Sequence, residues 1–282
     1  MEVIKEKARM RETVEQAKAH GLVVGLVPTM GFFHEGHQEL MRRARADCDL
    51  VVVTLFVNPT QFTPGEDFKD YPRDFDRDRR MVESVGVDYI FNPEVPEMYP
   101  DGFATHVEVE DLSDLMCGCH RPGHFRGVAT VVSKLFNIVP AQKAYFGQKD
   151  AQQLAVLRRL VADLDFAVEV IAVPTVREEG GLAMSSRNTY LGPAERQDAL
   201  VLHAALETAA GLIDAGVRDS SIIASAMEDV ISTLPSVNLE YIAICDNIFL
   251  QPVSELEGQV LIALAARVGK ARLIDNMVFE IE

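Results

Sequence analysis

Two kinds of pattern alternate through the first 175 residues. Residues 22–27 and 50–57 are continuously apolar, as strands buried on both faces of a parallel sheet are. Shorter apolar segments at 87–91, 144–146 and 167–173 predict three further strands. Between them, apolar residues recur at helical spacing. They predict helices at 2–20 (Val3, Ile4, Met10, Val14, Ala17), 37–47, 74–84, 123–139 and 151–163. Residues 63–73 are rich in Pro, Gly, Asp and Tyr with no period, and read as a mobile flap. Residues 105–109 predict a short edge strand. Strand followed by helix followed by strand implies right-handed crossovers. The fold expected for residues 1–175 is therefore a Rossmann-like, doubly wound α/β domain.

From Pro174 the pattern changes. A polar loop, Arg177-Glu178-Glu179-Gly180-Gly181, precedes Met184-Ser185-Ser186-Arg187. Pro193 suits the first turn of a helix running to about 215, and a second helix is expected over 219–233. Apolar segments at 239–244, 260–266 and 272–281 complete a smaller α+β domain over 176–282, expected to close as a lid.

Composition narrows the setting. The chain has 282 residues, 48% of them hydrophobic, enough for a large core without staples. No apolar run approaches the ~18 residues that a membrane helix needs. The charged start MEVIKEKARM lacks a signal-peptide apolar core. Four cysteines make no disulfide framework. Cys117, Cys119 and His120 form a C-x-C-H without a second half, read as a loop with free thiols. A reducing cytoplasm fits. The net charge of −16 argues against a nucleic-acid surface. An anionic small substrate would need cations concentrated locally.

Candidate chemistry clusters where the expected strands end. The turn Pro28-Thr29-Met30-Gly31-Phe32-Phe33-His34-Glu35-Gly36-His37 joins a strand to a helix, where open α/β sheets bind ligands. Gly31 allows a tight turn, and Gly36 leaves no Cβ above the backbone. A helix start offers unpaired N–H groups to phosphate, and an imidazole beside it suits attack at a phosphorus. A zinc pair is the competing reading of His34 and His37, but no third ligand is spaced nearby. The loops Asn58–Gln61, Gly147-Gln148-Lys149-Asp150 and 184–188 add amides, an ammonium, two hydroxyls and a guanidinium. Lys149 suits phosphate oxygens. Arg187 can bind phosphate bidentately.

The runs PTMGFFHEGH, NPTQF, YPRDFD, PGHFRGVATVV, YFGQKDAQQL and VREEGGLAMSSRN occur in this order, with RLIDN at 272–276. Together they closely resemble the pantothenate synthetase (pantoate–β-alanine ligase) family, densely over residues 20–192. The H-x-G-H turn by itself resembles the wider nucleotidyltransferase superfamily. The resemblance implies ATP-dependent joining of pantoate to β-alanine through a pantoyl adenylate, in a cytoplasmic homodimer. It implies ATP contacts at Met30 to His37, at Gly147 to Asp150, at Val176 and at Met184 to Arg187. His37 would be the proton donor, with His34, Lys149 and Arg187 stabilising charge. Gln61 and Gln153 would bind pantoate, and Asn58, Tyr71 and Arg121 would lie near the second substrate. Magnesium is expected with the triphosphate, with Asp78 the candidate protein ligand and phosphate and water the alternative. Phe33, Gly180 and Ala271 depart from the usual Leu, Asp and Thr. Two other readings remain open: transfer of a nucleotide to a phosphorylated acceptor, and nucleotide sensing without turnover.

Overall fold

The apolar runs lie side by side in one parallel sheet. A computed structural model describes residues 1–282. The chain runs β1 (Glu2–Ile4), α1 (Lys7–Ala19), β2 (Val24–Thr29), α2 (Glu35–Asp47), β3 (Leu50–Leu55), α3 (Phe75–Val85) and β4 (Tyr89–Phe91). It continues through the short α4 (Val95–Met98) and α5 (Cys117–His120) to α6 (His124–Ile138), β5 (Lys143–Gly147), α7 (Ala151–Asp163) and β6 (Glu169–Val173). Strand order is β1-β4-β3-β2-β5-β6, all parallel. From β2 the chain moves one way to β3 and later crosses to β5 on the other side. The switch point of the sheet therefore lies between the ends of β2 and β5, where doubly wound folds take ligands.

The smaller part contains α8 (Pro193–Asp198), α9 (Val201–Asp214), α10 (Ser220–Ser232) and the strands β7 (Val237–Asp246), β8 (Gly258–Val268) and β9 (Ala271–Ile281). The strands form an antiparallel sheet in the order β7-β8-β9. Alternate β8 residues Val260, Ile262, Leu264 and Ala266 share a core with Leu202, Leu206, Ile223 and Met227 of α9 and α10. That is the period-2 and period-3.6 pairing a sheet covered by helices requires.

Three local expectations change. Residues 2–20 are not one helix: residues 2–4 pair in parallel with β4, and the helix starts at Lys7. Residues 105–109 are not a strand; Val107 instead donates its N–H to Thr130 Oγ1 of α6 at 3.0 Å. The helix expected from 193 to 215 is two, because Leu200 and Leu202 bond three residues back, to Gln197 and Ala199, where an α-helix would bond four back.

The chain divides into two compact units, 1–147 with 156–174 and 148–155 with 175–282. One junction between the units falls between Pro174 and Thr175. Residues 148–155, expected in the first domain, group with the second unit. The cause is a set of hydrogen bonds from β9 to Gln148 and Lys149.

Candidate active site

In the first unit the turn after β2 is built backwards from a carboxylate. Gly31 has φ +88° and Phe32 φ +52°, two successive left-handed residues. Phe32 is not glycine, so this conformation needs support. Asp78, in the first turn of α3, supplies it: its oxygens accept the N–H of Phe32 at 2.6 Å and of Phe33 at 2.7 Å. A Cβ on Gly31 would stand 3.0 Å from Asp78 Oδ2. The Arg77 guanidinium lies over the Phe32 ring at 4.9 Å and 3.6 Å from Asp78 Oδ1. Burial pushes the Asp78 carboxyl above its ordinary value, against the pull of the two backbone donors.

This geometry does not fit the metal ligand expected at Asp78. The residue is 1% exposed and both oxygens are committed to backbone. No group of three His, Cys, Asp or Glu side chains could hold a metal ion elsewhere. Phe33 also differs from expectation: its side chain is fully buried in the core with Val27 and Val53, and its N–H is taken. Its departure from Leu is thus a change of core filling.

His34 caps α2, with its carbonyl accepting from His37 and Gln38 N–H. Its own N–H donates to His37 Nδ1 at 3.3 Å. That bond fixes a tautomer, because Nδ1 must accept and the proton of the neutral ring then sits on Nε2. The two imidazoles lie 4.0 Å apart between centroids, and Phe33 packs on His37 at 5.4 Å. Glu35, in the helix's first turn, pairs with Arg42 at 2.6 Å.

A second turn, after β3, is the 3₁₀ segment Pro59–Gln61. Asn58 is 1% exposed and lies behind it. Its Nδ2 donates to Gln61 Oε1 and to the Gly127 carbonyl, each at 3.1 Å, while its Oδ1 accepts from Tyr99 at 2.8 Å. Asn58 therefore orients Gln61 and does not open toward a substrate. Gln61 Nε2 reaches Met30 Sδ at 3.0 Å, linking this turn to the H-x-G-H turn. Helix α6 lies so close that a Cβ on Gly127 would sit 2.3 Å from the Thr60 carbonyl oxygen.

The 63–73 segment has no regular structure but is pinned. Glu66 takes both arms of Arg121, at 2.6 and 2.9 Å. Burial alone would raise the Glu66 carboxyl, but the guanidinium fork outweighs it and draws the group down to about 2. Arg121 also donates to His124 Nε2 at 3.0 Å, and His124 Nδ1 donates to the Gln61 carbonyl at 2.7 Å. Arg121, expected near a substrate, is thus committed to the flap. Tyr71 is buried edge-on against Phe62.

In the second unit Lys149 and Ser185 line one small pocket with Ala183, Leu202, Leu273 and Asp275. The Lys149 ammonium lies 3.8 Å from Asp150. Ser185 caps the 3₁₀ segment Ser186–Tyr190 by accepting the Arg187 N–H. Met184 N–H donates to the Val176 carbonyl at 2.9 Å, bringing these two expected contacts together. Gln153 is partly exposed in the first turn of α7. Gly180 has φ +91°, where glycine is unstrained. Ala271 is buried in the apolar core, where no hydroxyl needs a partner.

Several residues in these networks were not singled out from the sequence: Asn276, Asp275, Arg177, Glu66, His124 and Gly127. Most sit inside the runs RLIDN, VREEGG and PGHFRG, so the signal was present, but as motif letters without a contact.

A doubly wound parallel sheet whose central strand leads through H-x-G-H into a helix defines a nucleotidyltransferase-type α/β protein. The profile of the family described as pantoate-beta-alanine ligase matches residues 2–278. The chain belongs to that family. It is 53% identical over 281 residues to the pantothenate synthetase of Moorella thermoacetica, covering 100% of this chain and 99% of the relative. It is 58% identical over 267 residues to that of Heliobacterium modesticaldum, covering 95% of each. The structure is similar to pantothenate synthetase from Thermus thermophilus, at TM-score 0.94 and 47% identity over 98% of this chain and 99% of that one. It is also similar to pantoate-beta-alanine ligase from Francisella tularensis complexed with beta-gamma ATP and beta-alanine, at TM-score 0.80 and 31% identity over 99% and 97%.

Proposed function

We propose that the chain joins (R)-pantoate to β-alanine at the expense of ATP, giving pantothenate, AMP and pyrophosphate. In the first step a pantoate carboxylate oxygen bonds to the α-phosphorus, and the bond to the β-phosphate oxygen breaks. In the second, the neutral amine of β-alanine bonds to the acyl carbon, AMP leaves with the acyl C–O electrons, and the amine sheds a proton. Adenylation is needed because a free carboxylate has no good leaving group. The family match over residues 2–278, with His37, Lys149 and Arg187 at their motif positions, carries this reading.

The roles follow from the chemistry. Attack of one anion on another is slow unless fixed donors meet the charge that develops. His37 Nε2–H serves as that donor at the α-phosphate and the departing oxygen. Lys149, Ser185, Ser186 and Arg187 bind phosphate oxygens. Gln61 and Gln153 bind the hydroxyls of pantoate, for which neutral amides suit better than cations. Magnesium enters as part of the nucleotide substrate, carried by phosphate and water, a reading supported by the two backbone N–H groups that the buried Asp78 carboxylate already accepts. A homodimer and a cytoplasmic setting belong to the same reading, supported by the family resemblance. No helix is long and apolar enough to cross a membrane.

The test is direct. With ATP, magnesium, pantoate and β-alanine, AMP and pantothenate should form in equal amounts. With pantoate alone, labelled pyrophosphate should exchange into ATP. AMP released without both organic substrates, or a stable nucleotidylated product, sinks the reading.

A further inference from the structure

Strand β9 is apolar through most of its buried length, yet two adjacent residues in its middle, Asp275 and Asn276, are only 3% and 4% exposed. Burying an amide and a carboxylate is costly unless each is hydrogen-bonded. Both are, and each side chain has partners outside the sheet. Asn276 Nδ2 donates to the carbonyls of Gln148 at 3.0 Å and Lys149 at 2.9 Å. Its Oδ1 accepts from Gln148 Nε2 at 3.3 Å. One carboxamide thus holds the two peptide groups that flank Lys149.

Asp275 does the corresponding work for the strap that carries Ser185. It takes the Arg177 fork at 2.5 and 3.0 Å, and its Oδ1 accepts the Asn276 N–H at 2.8 Å. Arg177 also donates to the Gly181 carbonyl at 2.9 Å. Asp275 itself lines the pocket shared by Lys149 and Ser185.

We infer that Asn276 is a positioning residue for nucleotide binding: by donating to the carbonyls of Gln148 and Lys149 it sets where the Lys149 ammonium stands. The inference rests on the reading of Lys149 as a phosphate ligand. A lysine on a free turn would sample many positions, and only those facing the phosphates would lower the adenylation barrier. Asn276 removes that freedom before the nucleotide arrives.

The experiment uses the intact enzyme and pyrophosphate–ATP exchange with pantoate, comparing N276A, N276D, K149A and K149A/N276A. Asp is isosteric with Asn but turns a carboxylate oxygen toward two carbonyls. N276A should raise the KM for ATP about tenfold or more, with the KM for pantoate within about twofold. N276D should be worse than N276A, whereas a packing role would make the isostere the milder change. In the K149A background N276A should add less than about a twofold loss, since the effect passes through Lys149. Thermal unfolding of each variant separates loss of folding from loss of positioning, and N276A suffices if N276D does not fold. An ATP KM for N276A near the wild-type value, or losses that multiply in the double variant, overturn the inference while leaving Lys149 in place. Wild-type exchange in K149A would instead remove the phosphate-ligand reading, and this inference with it.

Discussion

The backbone N–H of His34 donates to Nδ1 of His37, leaving the proton of the neutral imidazole on Nε2. Proton or hydrogen-bond donation to the reacting phosphate must then come from Nε2. His37→Ala should lower pyrophosphate–ATP exchange by about 10²-fold or more, with little change in the KM for pantoate. The tautomer sharpens the prediction. Gln places its amide nitrogen near the Nε2 position and Asn near Nδ1, so His37→Gln should retain more exchange than His37→Asn. The reverse order would put the donor on the wrong nitrogen.

Asp78 predicts a different outcome from a metal ligand. Asp78→Ala leaves two buried N–H groups without acceptors, which costs about 1–3 kcal/mol each, and frees Phe32 from its left-handed conformation. Urea unfolding should show that loss, and exchange should fall because the turn before His34 relaxes. The magnesium concentration giving half-maximal exchange at fixed ATP should stay where it is in the wild type. A clear rise in that midpoint for Asp78→Asn would restore the metal-ligand role.

These two residues show what the sequence carries and what it does not. The long apolar runs of β2 and β3 name themselves as buried parallel strands, and the H-x-G-H turn falls where such a strand must end. Residues 2–4 and 105–109 are too short for periodicity to speak. Whether each pairs depends on a partner, β4 for the first and the Thr130 side chain for the second. Asn58 and Asp78 have the residue types a ligand site uses, at the right motif positions. Their burial comes from α6 and from the backbone of the 31–33 turn, neither of which spacing along the chain reveals. Asn276 is hidden for the opposite reason, as a polar residue in a largely apolar strand whose partner Gln148 lies 128 residues back in the chain.

The Glu66–Arg121 pair gives the flap a pH dependence of known sign. The Glu66 carboxyl is drawn from 4.5 to about 2, so its contribution to stability is complete above pH 4.5 and is lost as pH falls toward 2. The stability difference between wild type and Glu66→Gln, measured by urea unfolding, should be constant from about pH 7 down to about pH 5. It should shrink steadily below that. A difference that stays constant down to about pH 3 would mean that the carboxylate charge contributes nothing to holding the segment.

Gly127 and Gly147 make opposite predictions for the same substitution. A Cβ on Gly127 would meet the Thr60 carbonyl oxygen at 2.3 Å, its carbon at 2.5 Å and Gln61 Cα at 2.7 Å, all backbone atoms of the turn that presents Gln61. None of these can rotate away, so either α6 or the turn must shift, and the Asn58 bond to the Gly127 carbonyl goes with it. Overpacking of this kind costs about 1–3 kcal/mol. The functional loss should fall on pantoate, with its KM rising about tenfold and the ATP KM nearly unchanged. A Cβ on Gly147 meets nothing within 4 Å. Gly147→Ala should therefore leave the melting temperature as it is, so any rise in the ATP KM reports a clash with the nucleotide itself. Gly127→Ala with normal stability and normal pantoate binding would show that the close approach of α6 does not set the position of Gln61.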